Sequence, residues 1–165
     1  MVMRRLIKNV ITTDLSVRRA FPPATLAEIE SLVRESESKH NGQIRVAVEG
    51  GMPLSLLVKG RSARDRAVQL FAELGVWDTE QNCGVLIYLL MSERQIEIVA
   101  DRGVSKVVTP ERWLAICSLI EKNFKSSHYL EGVRDAIEAT TEILAEHFPP
   151  HGPSPDELSN RPIML

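Results

Sequence analysis

Three hard oxygen donors, Asp78, Asn82 and Asp101, fall in stretches that the local sequence marks as loops. Carboxylate and amide oxygens of this kind suit one Ca²⁺ or Mg²⁺. Their spacing is not that of an EF-hand loop, so only the fold can make a site of them. Each also has a plainer reading: Asp78-Thr79 as a turn or helix cap, Asn82 as a loop residue, Asp101-Arg102 as a surface pair. His40 and Arg102 are neighbouring candidates. A second group, Glu49 with Arg64 and Arg66, lies next to Gly50-Gly51. There α/β proteins commonly bind ligands outside strand C-termini, which suggests an anion site. Both arginines also read as solvated positions on a helix.

Phosphoryl transfer needs a nucleophile or a metal-activated water, with donors for the developing charge. The chain has no Cys-x5-Arg signature, no Gly-x4-Gly-Lys loop and no paired metal-binding histidine motif. Of its histidines, His128, His147 and His151 fall at expected helix ends, where charge placement is the commoner role. Cys83 and Cys117 follow no metal or redox spacing and sit among apolar residues, as small buried thiols in a reducing compartment do. Trp77 and Trp113 read as core or rim packing, or as part of a partner surface.

The elements that must position these residues start from 84–103. An unbroken apolar run, Gly84 to Leu90, is followed by a polar break and an alternating run, Gln95 to Ala100, which predicts an antiparallel hairpin. The first strand is apolar on both faces and belongs at the centre of a sheet covered by helices. The second carries Gln95 and Glu97 and belongs at an edge. Gln43 to Glu49 alternates, with Ile44, Val46 and Val48 on one face, as a strand with one face in the core would. A helix over 62–74, capped by Ser62 with Val68, Phe71 and Ala72 inward and Gly75 as its stop, joins these strands. A right-handed crossover then makes 43–49 parallel to 84–90. That arrangement gathers His40, Asn41, Asp78, Asn82, Asp101 and Arg102 at one sheet edge and leaves Glu49 at the other.

Before the first strand, Thr25 and Glu28 suggest a capping box, Leu26, Ile29, Leu32 and Val33 an apolar stripe, and Asn41-Gly42 a left-handed stop. After the hairpin, Pro110 opens a helix with Trp113, Ile116, Cys117, Ile120 and Phe124 on one face. Another follows, with Leu130, Val133, Ile137, Thr141, Leu144 and Phe148 inward. The fold class is therefore α/β, a small mixed sheet between helices, over residues 24–148. Residues 1–23 form an N-terminal arm in which Leu6, Ile7, Val10 and Ile11 oppose Arg4, Arg5 and Lys8. This basic amphipathic segment packs on the domain or lies on an anionic membrane surface. Residues 149–165 hold five of the nine prolines and read as a tail without regular structure, whose apolar end Pro162-Ile163-Met164-Leu165 docks on the domain or on a partner.

With 165 residues the chain can bury a sizeable core without disulfides or metals. A net charge of −2 leaves no cation excess for phosphate backbones and argues against nucleic acid. The N-terminus has no long apolar core with a cleavage site, and no run is long enough to cross a bilayer, so a cytoplasmic protein is expected.

Asn82-Cys83-Gly84-Val85-Leu86-Ile87-Tyr88-Leu89-Leu90, followed by Arg94 to Val104, resembles the TPM domain family. That family is shared by a thylakoid lumen phosphatase-like protein, an acetylcholine-receptor modulator of worms and many bacterial proteins. The resemblance covers roughly residues 14–148 and is specific in the hairpin. Cys83 stands where the family's strand motif has a second Asn, and Asp101-Arg102-Gly103 stands for its Gly-Tyr-Gly turn. The resemblance implies a Ca²⁺-binding α/β domain, and for some members acid-phosphatase activity. Three functions follow as expectations: a binding or accessory module with a protein partner and a divalent-cation site; a weak metal-assisted acid phosphatase; or an assembly or repair factor acting through its tail.

Overall fold

Seven consecutive residues of one strand, Gly84–Leu90 (β2), are buried, and the rest of the chain is layered around them. The computed structural model describes residues 2–12, 14–152 and 156–165. On one side β2 pairs in parallel with β1 (Gln43–Glu49), from Gln43 opposite Gly84 to Glu49 opposite Leu90. On the other it pairs antiparallel with β3 (Gln95–Ala100), from Val85 opposite Ala100 to Leu90 opposite Gln95. A short fourth strand, β4 (Ile163–Met164), runs parallel to β1 and completes a sheet of order β3-β2-β1-β4.

Because side chains alternate along a strand, β2 feeds two cores. Val85, Ile87 and Leu89 join Ile44, Val46, Val48, Ile96 and Ile98 on one face. There they meet α3 (Pro23–Glu37), α7 (Pro110–Lys125) and α8 (Tyr129–His147) through Ile29, Val33, Cys117, Ile120, Val133 and Leu144. Leu86, Tyr88 and Leu90 join Ala47 and Val99 on the opposite face, under Leu57 of α4 (Leu54–Val58) and Ala63, Ala67 and Leu70 of α5 (Ala63–Glu73). The chain is an α/β fold with a mixed four-stranded sheet between helices.

Several local expectations give way to tertiary packing. The second face of β1 is covered as well, with Ala47 and Glu49 both buried. On α5 the buried positions are Ala63, Arg66, Ala67 and Leu70, whereas Val68 and Ala72 are exposed and Phe71 is half-buried. Small residues let α5 lie close to the sheet, which rotates the larger ones outward. The Ser62–Asp65 capping box and the left-handed Gly75 (φ +66°) bound that helix as its sequence predicts.

The N-cap of α3 falls three residues before the expected Thr25, at Pro22 and with no side-chain capping bond, while Glu28 pairs with Arg134 of α8. Gly42 is not a left-handed stop. A Cβ there would lie 2.8 Å from a Leu144 methyl, so any larger residue would have to push that α8 side chain aside.

The arm folds as α1 (Val2–Ile11) and α2 (Asp14–Ala20). The tail is not wholly irregular: β4 forms, and the Arg45 Nη1 donates to the carbonyls of Ser159 and Arg161. Ile163 and Met164 are thus spent within the chain rather than left free for a partner.

Candidate functional site

The edge that holds the starts of β1 and β2 and the end of β3 brings Asp101 and Asn82 together. The Asp101 N–H donates to the Gly84 carbonyl at 2.9 Å, which continues the hairpin ladder by one rung. Asp101 then caps the four-residue helix α6 (Arg102–Ser105), its Oδ1 accepting the Arg102 N–H at 2.6 Å. Arg102 turns back so that its Nε donates to Asn82 Oδ1 at 2.7 Å. The Gly103 N–H donates to the Asn82 carbonyl at 2.9 Å, and a Cβ on Gly103 would stand 2.4 Å from that oxygen and 3.0 Å from the Gln81 carbonyl. Asn82 itself takes a left-handed conformation (φ +53°), which Asn tolerates better than most residues. Three oxygen-bearing groups are therefore packed into one rim: the Asp101 carboxylate, the Asn82 amide and the carbonyls of 81–82.

The other Asp101 oxygen, Oδ2, is buried and has no hydrogen-bond partner among the described residues, in a residue only 7% exposed. A buried carboxylate oxygen without a donor is costly, and such a group calls for an explanation. Asp78, by contrast, is exposed on the preceding turn, where its N–H donates to the Gly75 carbonyl. Among the described residues no three His, Cys, Asp or Glu side chains converge as a metal-binding group.

Cys83 is not a ligand in waiting. Its Sγ donates to the Asn41 carbonyl at 3.3 Å and its N–H to Thr79 Oγ1 at 3.0 Å. Burial pushes the thiol pKa up, and the nearby charges of Glu157 and Asp101 add to this, so it stays protonated. The Cys117 thiol, against Ile98 of β3, is pushed up to about 12 by burial and by Glu97.

Glu157 belongs to this rim although nothing in its local sequence marks it. Its Oε2 accepts the Glu80 N–H at 2.8 Å, while its own N–H and that of Leu158 donate to Gln43 Oε1, each at 3.0 Å. Only the return of the tail across the sheet edge places it there. Glu37 adds a further carboxyl, accepting the Ile44 N–H at 2.9 Å. Burial raises its pKa to about 7 against the lowering effect of that bond, and the charge of Asp156 raises it further.

His40 does not face the rim. It is 1% exposed, with Nε2 at 2.9 Å from Ser36 Oγ and Nδ1 at 3.1 Å from the Gly42 carbonyl. Ser36 Oγ in turn lies 2.5 Å from Thr141 Oγ1, so the ring joins α3 to α8. Burial pulls its pKa down to about 4 and keeps it neutral. It is a core histidine with both nitrogens occupied.

At the opposite edge both candidate arginines are engaged within the chain. Arg66 Nε and Nη2 grip Glu49 at 3.0 and 2.8 Å, and Arg66 Nη1 reaches Glu73 at 3.4 Å. The Tyr88 hydroxyl donates to Glu49 Oε2 at 2.6 Å. Arg66 is thus neutralised from within. Arg64 points elsewhere, donating to the Ile98 carbonyl and lying 3.6 Å from Glu97. The Gly50-Gly51 pair seats the arm rather than a ligand: a Cβ on Gly51 would stand 2.2 Å from the Asn9 carbonyl. Asn9 holds the arm at this edge, its Oδ1 accepting the Met52 N–H at 2.8 Å and the Ser92 hydroxyl at 2.7 Å. The chain's own first helix lies across the edge outside the C-termini of the parallel strands and leaves a cleft beside residues 91–94.

No helix among the described residues is long and apolar enough to cross a membrane.

Comparison with known proteins agrees with this architecture. The solution structure of the BA42 protein from the psychrophilic bacterium Bizionia argentinensis superposes with a TM-score of 0.75 at 28% identity, over 86% of this chain and 93% of that one. The N-terminal domain of a protein from P. gingivalis superposes with a TM-score of 0.60 at 21% identity, over 79% of this chain and 82% of that one, a likeness of fold. None of the curated proteins matches the chain. The TPM domain profile matches residues 18–143, which span the sheet's three main strands and the helices on both faces. The chain belongs to the TPM domain family.

Proposed function

We propose that this protein is a TPM-domain binding module whose rim at Asn82 and Asp101 takes a divalent cation, Ca²⁺ or Mg²⁺. The observation that carries this reading is Asp101 Oδ2, a buried carboxylate oxygen with no donor among the described residues. Hard cations favour such oxygens, and the Asn82 amide and the adjacent backbone carbonyls are of the same chemical kind. Glu157 lends negative charge from the tail. Arg102, held on Asn82 Oδ1, supplies positive charge at the rim and competes with a metal for it. A bound cation would stabilise the native rim and tie the end of β3 to the loop before β2. Asp78, exposed on the preceding turn, is not part of this set.

A ligand that binds only the native state raises its stability by mass action. Thermal unfolding in EDTA and in millimolar Ca²⁺ or Mg²⁺ tests the reading. The melting temperature is expected to rise with at least one of these ions and not to rise in Asp101→Asn. No shift with either ion, or the same shift in Asp101→Asn, removes the cation from the account.

A further inference from the structure

Helix α1 is docked by its polar side. Asn9, 6% exposed, donates through Nδ2 to Glu93 Oε1 at 3.0 Å and accepts bonds from Met52 and Ser92, while Arg5 Nε pairs with the same Glu93 oxygen at 2.8 Å. Gly51 lets the helix backbone come this close. The apolar side consequently faces out: Met3, Ile7, Val10 and Ile11 are between 51% and 71% exposed, and Leu15 at the start of α2 is 60% exposed. A surface helix ordinarily buries its apolar stripe. This one presents it.

The charges beside the stripe are of one sign. Arg4 and Lys8 are exposed on α1, and Arg18 and Arg19 on α2. The first twenty residues hold five cations and a single carboxylate, Asp14, whereas the chain as a whole is net negative. Lys8 and Arg19 line one cleft together with Ile7 and Ile11, so cationic and apolar groups share a continuous surface. An apolar helix face bordered by Lys and Arg fits the boundary between anionic headgroups and acyl chains. A second copy fits less well, because face-to-face arms would bring like charges together.

We propose that α1, with the start of α2, is an interfacial element that holds this protein on an anionic membrane surface. Met3, Ile7, Val10 and Ile11 enter the headgroup boundary, and Arg4, Lys8, Arg18 and Arg19 lie against lipid phosphates. The sheet and its rim remain in water, tethered through Asn9.

Co-sedimentation of the full chain with vesicles tests this. Binding to equimolar phosphatidylcholine and phosphatidylglycerol is expected to exceed binding to phosphatidylcholine alone by about ten-fold or more and to weaken with added salt. Arg4→Gln with Lys8→Gln should weaken it by about five-fold per cation removed. Ile7→Glu should abolish it without lowering the melting temperature, since Ile7 is half exposed. If Ile7→Glu does unfold the arm, the paired Arg4 and Lys8 variants carry the test alone. Equal binding to neutral vesicles, no binding to either, or binding unchanged in the charge variants overturns the proposal. A dimer in vesicle-free buffer that Ile7→Glu converts to monomer assigns the face to a second copy and also overturns it.

Discussion

Glu49 carries a negative charge into the layer between β1 and α5, where its side chain is 4% exposed. Such a charge persists only if it is paired and hydrogen-bonded, and Arg66 with Tyr88 does both. Burial, and then the charge of Glu49, push the Tyr88 phenol upward, so it remains a donor. Arg66→Met leaves Glu49 buried without its partner and is expected to cost about 3–5 kcal/mol in chemical denaturation. Adding Glu49→Gln to that variant should recover much of the loss. A cost below about 1 kcal/mol for Arg66→Met would show that the pair is not a lock.

Two other residues make opposite demands on pH. Glu37, raised from 4.5 to about 7, binds a proton in the folded state that it lacks when unfolded, so its contribution favours the fold below that range and is lost as pH rises through it. His40, lowered from 6.5 to about 4, must take up a proton on unfolding, so its contribution is present above that range and is lost as pH falls through it. Between about pH 4.5 and 6.5 the two slopes oppose each other. Relative to wild type, Glu37→Gln should lose stability on acidification across this window, and His40→Gln should gain it. Urea midpoints at several pH values check both signs, and parallel curves for all three proteins would contradict the assignment.

At the scale of elements, the docking of α1 rests on one glycine and one amide. Gly51→Ala places a methyl against the Asn9 carbonyl, and the helix must move away. Amide exchange within 2–11 is expected to quicken in this variant while β2 stays protected, because α1 contributes little to either core beyond Leu6. Unchanged exchange in the arm would show that the contact is not what seats it.

The hairpin and the crossover were legible from sequence because apolar runs, alternation and turn residues all agreed. The inward face of α5 was not, because Ala63 and Ala67 carry almost no hydrophobic signal while the exposed Val68 carries a strong one. Likewise Asn41-Gly42 has the composition of a helix stop, but its glycine lies against Leu144, about a hundred residues away. Strand register alone puts Asn82, before β2, and Asp101, after β3, at one end of the sheet. His40, also near that edge, turns into the core, because position near an edge does not fix where a side chain turns. Glu157 was invisible: its role depends on how the tail returns.

For the whole molecule, a sheet buried on both faces leaves only its two edges for work. The edge beyond the C-termini of β1 and β2 is crossed by Asn9 and the arm. The opposite edge keeps a carboxylate oxygen buried without a donor among the described residues, beside amide and carbonyl oxygens, with the tail laid across it. Function on this account is binding at that rim, on a rigid scaffold whose Cys83 thiol packs and donates rather than reacts. A ¹H–¹⁵N correlation spectrum recorded through a Ca²⁺ titration is the most direct test. Shifts confined to 81–84 and 101–103, with Glu157 following and Asp101→Asn silent, are what the account predicts. A spectrum unmoved at millimolar Ca²⁺, or shifts centred away from Asn82 and Asp101, would contradict it.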